Sequence, residues 1–442
     1  MAPLCRPRLS PRARGQRVDM VPKPGQADAS GPSRHRDQGE LLSADVDLAS
    51  RWVGSSVLLA SDESFGEKEN LLNTQPAAFE PGHFGNRGEI VDGWETRRRR
   101  EPGNDWALVR LGTPGVINSV DVDTSFFTGN FPQSFSLEAC GREAYPSPQE
   151  ILGQEVEWDE IVPTSPLRGD THNTFSVVSD RRYTHVKLSA FPDGGIARLR
   201  VLGRVVADPR HFDGLTIDLA SQEHGGAVVA SSDDFYTSAG LLNRPDSART
   251  MGEGWETRRR RDEGPDRVVF RLALAGRVRQ LVLDTAHFKY NASAAVSIFG
   301  AASDVPPASD SPVWIPLVPR TRLQPDTRHV VQVGPNPPSI SYVRLDAYPD
   351  GGLSRLRAIG DVDPAARREA GLHFFNSLPP AHAIQCLLEA GVGQDPARRL
   401  AHSRPFAEGW RERLEGGPDG FGAQDLDVVA TILDGNGMQA SR

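Results

Sequence analysis

Between about Leu42 and Asp208 the chain runs in short apolar segments separated by Gly, Pro, Asn and Asp. Val57-Leu58-Leu59-Ala60, Trp106 to Leu111, Ile117 to Val122, Ser134 to Glu138 and Thr184 to Leu188 are examples, and several alternate apolar with polar residues. That period of two marks half-buried strands. From about Phe212 to Asp361 the texture returns, in Ala227 to Ala230, Val268 to Leu272, Gln280 to Asp284, Ala295 to Phe299 and Tyr342 to Leu345. Long amphipathic helix patterns are missing here, and 43 Gly and 35 Pro supply turns for many short strands. The pattern predicts antiparallel β-sandwiches of the jelly-roll kind. Past Asp363-Pro364 the spacing becomes helical, with Phe374, Leu378, Ile384, Leu387 and Leu388 on the pattern and Pro379 opening a second helix. Pro396 to Leu400 and Phe406 to Leu414 predict further short helices, with fraying near Gly435-Asn436-Gly437.

The expected division is therefore an Arg/Pro-rich disordered tail over 1–40, sandwiches over 41–208 and 209–363, and a small helical segment over 364–442. A nucleic-acid- or membrane-seeking arm is the functional alternative for the tail, and both Met1 and Met20 stand as possible starts.

The two sandwich regions are copies. Gly93-Trp94-Glu95-Thr96-Arg97-Arg98-Arg99-Arg100 returns letter for letter as Gly254 to Arg261, 161 residues on. Asp123-Thr124 with Phe127 and Asn130 returns as Asp284-Thr285 with Phe288 and Asn291. Phe191-Pro192-Asp193-Gly194-Gly195 through Arg200 faces Tyr348-Pro349-Asp350-Gly351-Gly352 through Arg357. A period this long is a duplicated domain, not a solenoid of small units.

Composition narrows the class. The arginine runs sit in a chain of net charge −8, which argues against a nucleic-acid partner, since such affinity rests on a broad basic footprint. Cys5, Cys140 and Cys386 have no paired spacing, as expected of a reducing compartment. No apolar run has the length of a membrane span or the place of a signal peptide. A soluble cytoplasmic protein without membrane contact is expected.

Three groups could carry chemistry. Were the arginine run an extended strand, Glu95, Arg97 and Arg99 would share one face, a fork suited to a substrate carboxylate. A solvated charged strand or an ion-pair ladder is the structural alternative. Asp123 and Asp284 could hydrogen-bond a urea-like group or move protons, or simply cap the following turns. His287 and Lys289 form the most reactive-looking pair, with Phe126 and Thr128 in their places in the first copy. The two Pro-Asp-Gly-Gly segments read as tight turns whose glycines supply positive φ. Zinc-ligand spacing, phosphate loops and nucleophile elbows are missing, so no cofactor is evident and metal dependence stays open.

The duplicated Gly-Trp-Glu-Thr-Arg-Arg-Arg-Arg, the Asp-Thr-x-x-Phe-x-x-Asn segments and the Pro-Asp-Gly-Gly-x-x-Arg-Leu-Arg turns together resemble the allantoicases, over about residues 42–362. The resemblance implies two jelly-roll domains of galactose-binding-like architecture, a homo-oligomer, and hydrolysis of allantoate to (S)-ureidoglycolate and urea in purine catabolism. On that reading Glu95, Asp123, Glu256, Asp284 and His287 are the candidates for proton transfer. The expected substrate-binding set is Trp94, Arg97, Arg98, Arg99 and Asn130 with Trp255, Arg258, Arg259, Arg260, Lys289 and Asn291. The family's run leads into Pro-Gly-His-Asp-Trp, whereas Asn104 holds the histidine position here and the second copy reads Gly264-Pro265-Asp266-Arg267. Phe375 to Pro380 through Phe406 resembles the opening of the ureidoimidazoline (OHCU) decarboxylases without their later His-Pro segment, as in a truncated fusion or an assembly element. The competing classes are a non-catalytic ligand- or carbohydrate-binding sandwich and a degenerate homologue.

Overall fold

The computed structural model describes residues 40–41, 45–415 and 421–435. The tail expected over 1–40 lies outside the described residues except for Glu40, whose backbone pairs with Ser231 as Leu41 pairs with Ala230. The rest is mostly β: two tandem β-sandwich domains followed by small helices.

Each sandwich is built on one long strand. Segments that read as separate strands, Trp106 to Leu111 and Ile117 to Val122, are halves of a continuous strand Asp105–Asp123. Its first half pairs with Ser56–Ala60 and Arg182–Phe191; its second half pairs with Arg198–Val205 and His172–Ser176. The strand thus turns a corner from one layer to the other at Gly112-Thr113-Pro114-Gly115. Glycine is required there by space, since a Cβ would lie 2.3 Å from Val53 O at Gly112 and 2.2 Å from Arg204 O at Gly115. The second copy repeats the device in Asp266–Asp284, where a Cβ on Gly276 would lie 2.4 Å from Asp361 O.

Alternation along these strands fills two separate cores. Ala107, Val109, Leu111, Val120 and Val122 point into the first, Val268, Phe270, Leu272, Leu281 and Leu283 into the second. Trp94 and Trp255 are wholly buried in them, each indole Nε1–H donating at 2.8 Å to a backbone carbonyl, Asp62 O and Asp233 O.

Arg198 and Arg355, from the Arg-x-Arg that ends each repeat's last block, are also buried. Arg198 donates to Gln75 O (3.0 Å), Asp92 O (2.8 Å), Ala197 O (2.7 Å) and the Asp92 carboxylate (2.6 Å). Arg355 makes the corresponding set to Asp246 O, Glu253 O, Ser354 O and the Asp246 carboxylate. Each guanidinium therefore stitches the loop preceding the duplicated run onto its sandwich, with its charge met and its donors filled.

The helices are Pro364–Ser377, Pro380–Glu389, Gln394–His402, Trp410–Glu415 and Ala423–Leu433. Pro379 caps the second, as its place in the pattern predicts, while the fourth begins later than Phe406. Phe374, Phe375, Leu387, Leu400, Trp410 and Leu426 make a third core, which Val116 and Val206 of the first sandwich join.

Candidate active site

The duplicated run does not continue as a strand. Only Trp94–Glu95 and Trp255–Glu256 are extended and paired, with Ile196 and Gly195 in one copy and Leu353 and Gly352 in the other. Beyond them Thr96 and Thr257 are buried, and their hydroxyls accept from the backbone N–H of Gly194 (3.0 Å) and Gly351 (2.8 Å). The Asp-Gly-Gly turns thus lock each run in place. Gly194 has φ +139°, as expected, whereas the second copy's Gly351 and Gly352 have no positive φ; both copies need glycine for space, since a Cβ would meet the Phe127 ring at 2.0 Å on Gly195 and Asn291 O at 2.0 Å on Gly352.

Because the extended geometry ends, the expected fork does not assemble. Arg97 lies 3.4 Å from Asp62, while Arg99 turns to the buried Asp105 at 2.8 Å. Arg258 pairs with Asp233 at 2.7 Å, and Arg260 pairs with Asp262 and Asp266, both at 2.8 Å. These four guanidiniums form an ion-pair ladder, the structural alternative to the fork. Arg98 is exposed and forms no ion pair among the described residues; Arg259 is exposed beside Asp350. Asn104 uses its amide on Asp105 O (3.0 Å), a local tie next to the Arg99 pair. The two tryptophans, buried as described, offer no surface to a ligand.

The structure does bring together Glu and Asn. Asn130 Nδ2 donates to Glu95 Oε1 at 2.7 Å, and Asn291 Nδ2 donates to Glu256 Oε1 at 2.7 Å. Both glutamates are half-buried at the end of a sandwich, and burial raises the Glu95 carboxyl above the ordinary range. Asp123 and Asp284 sit at the ends of the long strands and cap turns: Asp123 Oδ1 accepts from Ser125 N (2.8 Å) and Oγ (2.5 Å), Asp284 Oδ1 from Ala286 N (2.8 Å). His287 has φ +71°, shared by Phe126 at +69° in the first copy, and its Nε2–H donates to Ala248 O at 3.0 Å. Lys289 is exposed, 4.0 Å from Asp326.

One group is not apparent from the sequence patterns above. His172 Nδ1 lies 2.7 Å from Asp121 Oδ2, and its Nε2 lies 4.0 Å from Asp123. The Asp121 hydrogen bond raises the His172 imidazole. Arg200 stands opposite Asp121 in register and reaches Asp47 at 3.7 Å. Asp121-x-Asp123 and Arg198-x-Arg200 show their facing charges in the sequence at a period of two, but His172 carries no such signal. The second copy has Val282 and Arg328 in the places of Asp121 and His172, so the pair exists in one repeat only. Among the described residues no three His, Cys, Asp or Glu side chains form a metal-holding group.

Comparison with known proteins decides the family. The allantoicase repeat model matches residues 46–206 and again 217–363. The chain belongs to the allantoicase family. Its relatives include the "Probable allantoicase" of Nocardia farcinica, 47% identical over 317 residues, covering 72% of this chain and 94% of that protein. Another is the "Probable allantoicase" of Streptomyces coelicolor, 44% identical over 338 residues, covering 74% of this chain and 88% of that one. Among solved structures, the Saccharomyces cerevisiae allantoicase superposes with a TM-score of 0.60 at 32% identity, covering 72% of this chain and 93% of that one. The allantoicase match ends at residue 363, where the helical segment begins.

Proposed function

We propose that the chain hydrolyses allantoate to (S)-ureidoglycolate and urea, as a cytoplasmic homo-oligomeric enzyme of purine catabolism built on jelly-roll repeats. Membership of the allantoicase family carries the reading, and the Glu–Asn pair present in both repeats supplies its chemistry. Allantoate carries a carboxylate and two ureido groups on one carbon. Cleavage places a water hydroxyl on that carbon and a proton on the departing urea nitrogen. Arg98, without an ion pair among the described residues, is a cation that can take the carboxylate, Asn130 the amide that can bond a ureido group, and Glu95 the proton donor. A carboxyl raised by burial keeps its proton closer to neutral pH, which suits that role. The Asp121–His172 pair, found in the first repeat alone, favours that repeat as the acting one.

The test is urea release from allantoate by the purified chain. Glu95→Gln should lower kcat by about 10²- to 10⁴-fold, the usual weight of a general acid, with Glu256→Gln affecting it less. Allantoate binding without urea release would instead make the protein a binding module. Equal losses in both variants would refute the choice of repeat.

A further inference from the structure

A cavity of about 730 Å³ lies where the first sandwich meets the inter-repeat segment, with Glu389 at the end of the helix Pro380–Glu389 on its wall. Its volume is that of a small-molecule site. Two of its ion pairs are internally matched. Arg182 Nη1 donates to Glu143 Oε1 at 2.5 Å, and Arg210 donates to both oxygens of Asp208, at 2.9 and 2.5 Å.

Two further guanidiniums on the wall have no carboxylate partner among the described residues. Arg110 stacks 4.5 Å from the centre of the Tyr145 ring, and Arg142 donates its Nη2 to Glu155 O at 3.2 Å. Between them stands His185, 1% exposed, directly across from Arg110 in the neighbouring strand. Its Nδ1 lies 2.8 Å from Thr184 Oγ1, while its Nε2 is buried with no partner.

Thr184 Oγ1 accepts from Arg142 N at 2.8 Å and has one proton to give, to His185 Nδ1 at 2.8 Å or Cys140 O at 3.3 Å. In either arrangement Nε2 has no partner: it holds the ring hydrogen when Thr184 donates to Nδ1, and is a bare acceptor when Nδ1–H donates to Thr184. Burial, aided by Arg110, lowers the His185 imidazole to about 4, so it is neutral near pH 7. The His185 Nε2 is thus a buried ring atom without a partner, and the two half-buried guanidiniums on the same wall leave positive charge for an anion to meet. Glu223 and Glu389, the remaining acids on the wall, are partly or fully exposed; Glu223 lies 3.7 Å from His224 and Glu389 accepts from Gln385 at 2.8 Å.

We infer that this cavity is a second ligand site, which binds a small carboxylate through the guanidiniums of Arg110 and Arg142. Of the helical segment beyond the allantoicase match, Glu389 alone reaches its wall.

Isothermal titration of the full chain with malonate, and separately with inorganic phosphate, tests it. Malonate should bind, with about tenfold or greater weakening in Arg110→Gln and in Arg142→Gln and no change in Arg98→Gln. Thermal unfolding of each variant checks that it folds; if Arg110→Gln does not, Arg142→Gln decides the outcome. Malonate failing to bind, binding unaltered by the cavity variants, binding lost in Arg98→Gln, or binding of phosphate alone would each overturn the inference. Urea release measured on the same preparations keeps the two proposals apart: no hydrolysis with malonate binding intact would defeat the proposed function and leave the cavity site standing.

Discussion

Asp47 is mostly shielded from solvent beside the strand Arg198–Val205, its Oδ1 accepting from Val201 N (3.0 Å) and Ala49 N (3.2 Å). Burial outweighs the nearby Arg200 and pushes its carboxyl up to about 6. A folded-state value above the ordinary 3.8 means that ionisation opposes folding: stability present below about pH 4 is lost as pH rises through 6. Asp47→Asn keeps an acceptor for Val201 and removes the titration. Denaturation midpoints of variant and wild type should agree best near pH 4 and diverge in the variant's favour by pH 7. A pH-independent difference would contradict the assignment. Trp94 makes the opposite point. The family resemblance places it against substrate, yet Trp94→Ala should cost about 3–5 kcal/mol of stability, read by denaturant unfolding, because the indole fills the first core. The arginines follow the same logic: their number and spacing are visible in the sequence, but Asp62 and Asp105, which claim Arg97 and Arg99, lie 35 and 6 residues away. Nothing local separates an arginine held by aspartate from one left for a ligand.

At the scale of elements, the long strand Asp105–Asp123 organises the first repeat, as Asp266–Asp284 does the second. Its apolar alternation is legible in the sequence and places both halves as strands. Gly112-Thr113-Pro114-Gly115 carries an ordinary turn signal, and what makes it a corner instead is the approach of Arg204 O and Val53 O from elsewhere in the chain. Gly115→Ala should therefore lower stability by about 1–3 kcal/mol or more, since the added carbon meets a backbone carbonyl that cannot turn away. Gly82→Ala meets no atom within 4 Å but sits at φ +84°, so backbone strain alone would set its smaller cost. Equal shifts in unfolding midpoint for the two would show that crowding at the corner is not the cause.

On the scale of the whole molecule, the helical segment is tied to the first sandwich. Phe374, wholly buried, lies under Arg182 and Arg210, at 5.0 and 5.7 Å from its ring centre. Arg367 clasps Asp213 of the inter-repeat segment through both oxygens, at 2.6 and 3.0 Å. Phe374→Ala should destabilise by about 3–5 kcal/mol and loosen the helices before the sandwiches, seen as earlier loss of helical circular dichroism on heating. Coincident loss of both signals would mean that the segment is not separately anchored. From residue order alone came the duplication, the β class, the helical ending and the Glu95 and Asn130 positions, because periodicity and repetition are properties of the line of residues. Tertiary structure alone decided that Glu95 meets Asn130, that the arginine fork is split between aspartates, and that His172 and His185 gain charged neighbours. Those outcomes depend on which distant strands come to lie side by side, and the energy of a charge or a donor is set by what stands across from it.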